Sequence, residues 1–359
     1  MTKIWYSVQG DGLGHAIRSH TIIQELKKKH TILITASDKA YEYLKNKHQN
    51  VHKIESLKWI YENNTVKITK SVKNFFKRIP YVTKTNIKIL KKIIPEFKPE
   101  IIITDFEPTA SQVAHILKIP IITIDNIHFL SECEIKLPEI KKAELKRTII
   151  AIRLLFPKSD KYIIPTYYKT KSYNKNVKLV NPIIRDEIKQ TKPKKHQHVL
   201  VYQTTPTNKD MLKELKKSKN AFKIYGMKKK GKQKNLQFID FNEKQFINDL
   251  KKSKYVIVNG GFTVISEALY LGKPILAIPI KKQIEQEING YALKKTGYGN
   301  CTKKLTFEDL ENFEKNLDKY YKKIEKIKNW NNDKIFQEIE KTIEKLKKHP
   351  KQNTNNYKI

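Results

Sequence analysis

Short runs of β-branched and other apolar residues recur along this chain. Most of them end in glycine, acidic or hydroxyl side chains, after which an amphipathic stretch begins. Residues 3–8 (KIWYSV) read as a strand, the loop QGDGLGH follows, and a helix is expected over about 16–29. Residues 31–35 read as the next strand and 39–47 as the next helix. Strands covered by helices on both faces are apolar throughout rather than alternating. This β-loop-α-β order opens a parallel, doubly wound sheet, in which ligands sit at the carboxyl ends of the strands.

The same grammar continues. Residues 70–98 are helical in part and expected to break at Pro80 and Pro95. There Ile87, Leu90, Ile93 and Ile94 alternate with Lys84, Lys88, Lys91 and Lys92, a basic amphipathic face. Such a face packs on a sheet or lies against an anionic membrane. Strand 101–104 ends at Asp105-Phe106-Glu107-Pro108, and strand 121–124 ends at Asp125-Asn126-Ile127-His128, with a helix over about 109–117 between them. Side chains at these ends either face a ligand or cap the next helix. A second basic helix (139–156) and strands 161–164 and 177–180 lead to NPIIR, then to a charged stretch, 186–196, with Pro193. We place a domain boundary near residue 187.

The second half restarts with strand 198–202, the loop Gln203-Thr204-Thr205-Pro206-Thr207-Asn208, and a helix over 209–217. Strands 221–225 and 236–239 flank a basic loop, 227–235, and a helix covers 243–251. The densest set of signals is 256–299. A buried strand runs into Asn259-Gly260-Gly261, a helix spans 263–271 with Gly272 and Pro274 to stop it, and strand 275–278 follows. The loop 281–287 precedes a helix bounded by Asn289 and Gly297. Amide groups near Gly261–Thr263 have no partner within their helix and suit an anion. Glu267 lies one turn on and either accepts from a ribose diol or stabilises the helix dipole. Gln283, Glu285 and Gln286 carry the groups that sugar hydroxyls need. From 306 the chain is charged and helical, and the tail from His349 is expected to fray. The expected division is 1–186, 187–340 and a terminal 341–359.

Three glycines, Gly10, Gly12 and Gly14, let the first loop approach a ligand closely, although their spacing departs from G-x-G-x-x-G. His15 and Arg18 share one face of the first helical turn. The net charge of +37 attracts polyanions, or simply reflects the Lys-, Ile- and Asn-rich composition that an AT-rich genome produces. The two cysteines, Cys133 and Cys301, exclude a disulfide framework, and no zinc spacing is present. No apolar run has the length of a membrane span or of a signal-peptide core. A cytoplasmic protein is expected, peripheral at most to a membrane.

The stretches GDGLGHAIRS, TDFEP, IDNIH, NPIIR and NGGFTVISEALYLGKPILAIP…QIEQEINGYAL…GYG resemble GT-B glycosyltransferases. The resemblance is to a MurG-related branch of them found in archaea and bacteria. It implies two Rossmann-like domains facing a cleft, and inverting, metal-independent transfer from a UDP-sugar to a glycan or lipid-linked acceptor. No cofactor beyond that donor substrate is implied. By the family pattern Ile239 and Phe241 read the base. Thr204, Thr205, Asn259, Gly260, Gly261, Phe262 and Thr263 hold the diphosphate, Glu267 the ribose, and Gln283, Glu285 and Gln286 the sugar. His15 is the base, with Asp105 or Glu107 orienting it or acting as the base itself. Gly12, Gly14, Arg18, Asp125 and His128 form the acceptor side. Two departures stand out: Gln203-Thr204-Thr205-Pro206 replaces the family's second glycine-rich loop, and Asn259 replaces an Arg. A UDP-GlcNAc 2-epimerase-like enzyme on the same fold and a non-catalytic binder of polyanions or membranes are the competing readings. The first loop fits the transferase better, and no aromatic-basic motif points to specific nucleic-acid binding.

Overall fold

The computed structural model describes residues 1–190, 198–327, 330–348 and Tyr357. Pro193 and the stretch 349–356 lie outside the described residues. In the first half, β1 (Lys3–Val8), α1 (Leu13–Leu26), β2 (Thr31–Ser37), α2 (Asp38–Lys45) and β3 (Val51–Ile54) follow one another. A small hairpin, β4 (Tyr61–Glu62) and β5 (Thr65–Val66), precedes α3 (Ile68–Phe97). Then come β6 (Ile101–Asp105), α4 (Pro108–Ile116), β7 (Ile121–Ile124), α5 (Phe129–Glu132), α6 (Lys142–Leu155), β8 (Lys161–Pro165), β9 (Val177–Val180) and α7 (Asp186–Lys189). The sheet order is β3-β2-β1-β6-β7-β8-β9, all parallel.

The second half comprises β10 (His198–Tyr202), α8 (Lys209–Leu215), β11 (Phe222–Tyr225), β12 (Gly231–Gln233), β13 (Leu236–Ile239), α9 (Glu243–Lys252) and β14 (Ser253–Val258). It continues with α10 (Phe262–Tyr270), β15 (Ile275–Ala277), α11 (Ile284–Thr296), β16 (Gly299–Cys301), α12 (Phe307–Lys315), α13 (Leu317–Ile324) and α14 (Asp333–Lys348). Its sheet runs β12-β13-β11-β10-β14-β15-β16, parallel except at the β12 edge. Strand order reverses between β1 and β6 in one sheet and between β10 and β14 in the other. Those two switch points are where such sheets bind ligands.

Four sequence expectations change. Helix α3 runs through Pro80 to Phe97 unbroken, because a proline removes only one backbone bond while Val82, Leu90 and Ile94 keep their apolar face buried. Residues 231–233, inside the expected basic loop, pair with β13 as an antiparallel edge. Helix α11 begins at Ile284, ahead of Asn289, with Glu285 and Glu287 favourably placed in its first turn. Helix α14, whose first residues were assigned to the second half, packs on the first sheet. Its Ile335, Ile339 and Ile343 join the core of Ile4, Ile34 and Ile103, and Glu338 pairs with Lys161 at 3.0 Å.

The halves also meet directly. Tyr167 stacks on Phe262 with ring centres 5.8 Å apart, and its hydroxyl donates to the Asn289 carbonyl at 2.7 Å. The hairpin turns on Asn63 and Asn64, both at positive φ (48° and 51°), as a two-residue hairpin turn matching strand twist requires. It forms a parallel bridge to Lys281 of the other half. The Val66 amide donates to the Lys281 carbonyl at 3.0 Å, and the Lys281 amide to the Asn64 carbonyl at 2.9 Å. No helix among the described residues is long and apolar enough to cross a membrane.

Ile339 is fully buried, so Ile339→Ala should cost about 2–5 kcal/mol. Hydrogen exchange should show protection falling in β1 and β2 before β10 and β14. The opposite order would place α14 on the wrong sheet.

Candidate active site

The first switch point gathers around one carboxylate. Asp105 closes β6 with no exposed surface. It accepts from His15 Nδ1 at 2.7 Å, from Arg18 Nε and Nη2 at 2.9 and 2.6 Å, and from Ser19 Oγ at 3.0 Å. The three donors lie on the first turns of α1, which the glycine loop directs across the end of β6. Burial alone would raise the Asp105 pKa, but the charges of Arg18 and His15 and their hydrogen bonds outweigh it and hold it at about 2. Burial likewise opposes a charged His15, yet the adjacent Asp105 charge and hydrogen bond leave its pKa above the ordinary histidine value. With Nδ1 committed to Asp105, Nε2 is the ring nitrogen with no partner among the described residues. The side chain keeps 14% of its surface exposed. A partly open imidazole oriented through its far nitrogen by a buried carboxylate is the arrangement of a general base.

Other side chains assigned to this half do different work. Glu107 is the N-cap of α4: its carboxylate accepts from the Thr109 and Ala110 amides at 3.0 and 2.7 Å and from Ser7 Oγ at 3.0 Å. It is buried, so it neither orients His15 nor serves as the base. Arg18 is also buried, held by Asp105 and by Asn126 Oδ1 at 2.8 Å, and cannot meet an acceptor. Asp125 accepts from the Ile127 and His128 amides and from His128 Nδ1, each at 2.8 Å. His128 is buried against Phe106, Phe156 and Tyr162. This pair builds the turn after β7 and does not form an acceptor surface. Gly12 is the N-cap of α1. A Cβ on Gly14 would stand 2.9 Å from Thr263 Oγ1, and that hydroxyl donates to the Gly14 carbonyl at 3.1 Å. A side chain at 14 would push on Thr263, because the second half comes this close.

At the second switch point the β14 loop turns through Gly260, whose φ is +108° and whose Cβ would meet the Gln286 carbonyl at 2.6 Å. Gly261 caps α10, leaving the first-turn amides at Phe262 and Thr263 without intrahelical partners. Thr263 is half-buried, but Phe262 is buried under Tyr167 and packs the seam between halves. Asn259 is 1% exposed and works as a clamp. Its Oδ1 accepts from the Thr204 amide at 2.7 Å, and its Nδ2 donates to Gln203 Oε1 and the Ile278 carbonyl. It fixes the end of β14 to the 203–208 loop, where Thr205 bonds Thr207 at 2.9 Å. Ile239 is half-buried, and Phe241 is exposed beside Tyr202 and Phe246.

Glu267 does not face the cleft. It is 2% exposed; Oε2 accepts from Arg185 Nη2 at 2.8 Å, while Oε1 lies 2.7 Å from Arg185 Nε. The second contact is an ion pair without a hydrogen bond. Arg185 also reaches Glu243 at 2.6 Å, which accepts from Tyr43 at 2.8 Å. The carboxylate expected to hold a ribose is therefore one member of a buried ion-pair chain joining the two halves. Gln286 is buried too and braces the loop by accepting from the Ile280 amide at 3.0 Å. Glu285 does reach the other half, accepting from Asn126 Nδ2 at 2.8 Å. Burial raises its pKa against the pull of that bond and of His15 and Arg18. Gln283 is half-exposed at the N-cap of α11.

Asp11, Asn126 and Tyr61 were not singled out by sequence. The Tyr61 hydroxyl donates to Asp11 Oδ2 at 3.2 Å, bringing the hairpin to the glycine loop. Its signal was the Asn63-Asn64 turn between two residue pairs of strand type. Asn126 adjoins the acidic strand end already noted after β7.

A family model described as glycosyl transferase family 1 matches residues 2–318. An uncharacterised glycosyltransferase of Methanosarcina acetivorans is 27% identical over 324 residues, spanning 83% of this chain and 84% of that protein. Among solved structures, the spinosyn rhamnosyltransferase SpnG complexed with thymidine diphosphate is similar in fold. It has a TM-score of 0.62 and 11% identity, covering 90% of this chain and 94% of that one. Acinetobacter baumannii MurG has a TM-score of 0.56 and 14% identity, covering 95% and 99%. The two Rossmann-like sheets match these GT-B structures.

Proposed function

Since this chain belongs to glycosyl transferase family 1, we propose that it transfers a sugar from a UDP-sugar to a glycan or lipid-linked acceptor by a single inverting displacement. The observation that carries this reading is the His15–Asp105 pair at one switch point, set beside Thr263 and the start of α10 at the other. His15 removes the acceptor proton as the hydroxyl attacks the anomeric carbon. The diphosphate lies at the first-turn amides of α10 and the Thr204–Thr205 loop, where Thr263 adds a hydroxyl. Charge developing on the leaving group is met by these amides, so the reaction proceeds without a metal. Glu285 and Gln283 face the sugar, and Ile239 with Phe241 the base. Arg185, Glu243 and Glu267 hold the halves together behind the site.

We place the acceptor at a membrane surface. On α3, Phe76 is 74% exposed, and on α6, Leu154 is 79% exposed. Lys73, Lys77, Arg147 and Arg153 lie near them in sequence. Apolar side chains among cations suit an anionic interface. The cytoplasmic face of the membrane is the corresponding location.

His15→Ala should lower kcat at least a hundredfold while leaving the donor dissociation constant unchanged. Equal loss of both would make the glycine loop a donor-binding element. Phe76→Ser combined with Leu154→Ser should abolish co-sedimentation with vesicles containing anionic lipid; undiminished co-sedimentation would remove these helices from the membrane contact.

A further inference from the structure

The hairpin carries one more polar side chain to the donor loops. Asn64 belongs to the first half, yet its hydrogen bonds run to the second. Its amide donates to Thr207 Oγ1 at 3.0 Å, its carbonyl accepts from Lys281 at 2.9 Å, and its Nδ2 donates to the Pro279 carbonyl at 3.4 Å. Thr207 lies in the hydroxyl-rich loop after β10, and Pro279–Lys281 leads into Gln283 and Glu285. Asn64 therefore stands where the expected diphosphate loop approaches the expected sugar loop.

The contact to Pro279 orients the side-chain amide, since only the NH2 end can donate to a carbonyl. The other end, Oδ1, is buried with no hydrogen-bond partner among the described residues, and the residue as a whole is 8% exposed. Gln283 Oε1, in the adjoining loop, is buried and unpartnered in the same way. Turn geometry explains why residue 64 is an asparagine, because its φ is positive. It does not explain an amide oxygen withdrawn from solvent and left unpaired, which native structures avoid. Both orphan atoms are acceptors only, so their complement is a donor. Ionised phosphate oxygens accept and cannot supply one. Sugar hydroxyls can.

We propose that Asn64 is a sugar-recognition residue delivered to the donor site from the opposite half. Its Oδ1 accepts from a hydroxyl of the transferred sugar, and Gln283 Oε1 accepts from another. This rests on the nucleotide-sugar reading above and adds to it. The sugar end of the site is complete only when the hairpin is docked on Lys281, so the sugar itself favours the closed arrangement.

The test is calorimetric titration with matched pairs: UDP and UDP-GlcNAc, dTDP and dTDP-glucose, GDP and GDP-mannose. Wild type is compared with Asn64→Gly, which tolerates the positive φ, and with Thr207→Ala, which loosens the hairpin but keeps the amide. Asn64→Gly should weaken the nucleotide-sugar about tenfold while the matching diphosphate stays within about twofold. Thr207→Ala, by loosening the docked hairpin, should weaken the nucleotide-sugar more than the matching diphosphate, by a smaller factor than Asn64→Gly does. Equal weakening of both ligands by Asn64→Gly, no weakening of either, or equal weakening of both by Thr207→Ala would overturn the assignment. A wild type that binds none of the pairs would overturn the nucleotide-sugar reading, and this proposal with it.

Discussion

A buried carboxylate cannot stay charged without partners, and Asp105 at the end of β6 has four hydrogen bonds from three side chains. That requirement organises the first half of the site. Arg18 supplies the compensating charge, Ser19 a neutral donor, and His15 the imidazole proposed as the base. Removing Arg18 would leave an unpaired charge inside the sheet, so the residue beside the candidate base is there for electrostatic balance. One feature of α1 thus serves stability and chemistry together. The helix can lie so close to β6 only because the glycine loop turns it there.

The second half imposes a different constraint. Its loops are clamped by amides that never leave the interior: Asn259 to Thr204 and Ile278, Gln286 to Ile280, Asn289 to the Gly260 carbonyl at 2.9 Å. These bonds pre-position the start of α10, so less ordering is left to the moment of binding. Besides side-chain hydrogen bonds such as Asn126 to Glu285 and Thr263 to the Gly14 carbonyl, three further contacts join the halves. The Tyr167–Phe262 stack is apolar, the Arg185–Glu267 link is ionic, and the hairpin bridge to Lys281 is made by backbone groups. The first two lie in buried seams. The third is short and sets the buried Asn64 and Val66 against the exposed Lys281.

Strands and helices of the two sheets were legible because fully buried parallel strands are written as unbroken apolar runs. The β14-loop-α10 unit was legible because glycines and a following proline mark its ends. The candidate site was legible as a place: His15, Asp105, Thr263 and Glu285 come together where the halves meet. It was misread at Glu107, since a carboxylate before a proline-led helix looks the same whether it caps or catalyses. Glu267 was misread because its partner, Arg185, lies 82 residues away, and no local pattern announces a long-range ion pair. Asp125 and His128 satisfy each other within one turn, a closed arrangement that composition alone does not distinguish from an open one. The hairpin was missed because its strands are too short to show alternation. Helix α14 was read as charged and helical, but that pattern does not name the sheet that covers it.

In the proposed transfer His15 acts as a base whose Nδ1 proton is held by Asp105. The most direct measurement is the pH dependence of kcat/KM for sugar transfer by the wild-type enzyme. The base works only when neutral, and Asp105 raises the pH at which it becomes so. The rate should therefore rise with pH, with a midpoint above the ordinary histidine value of 6.5. A rate that does not vary from mildly acid to mildly basic pH, or a midpoint below that value, would contradict it.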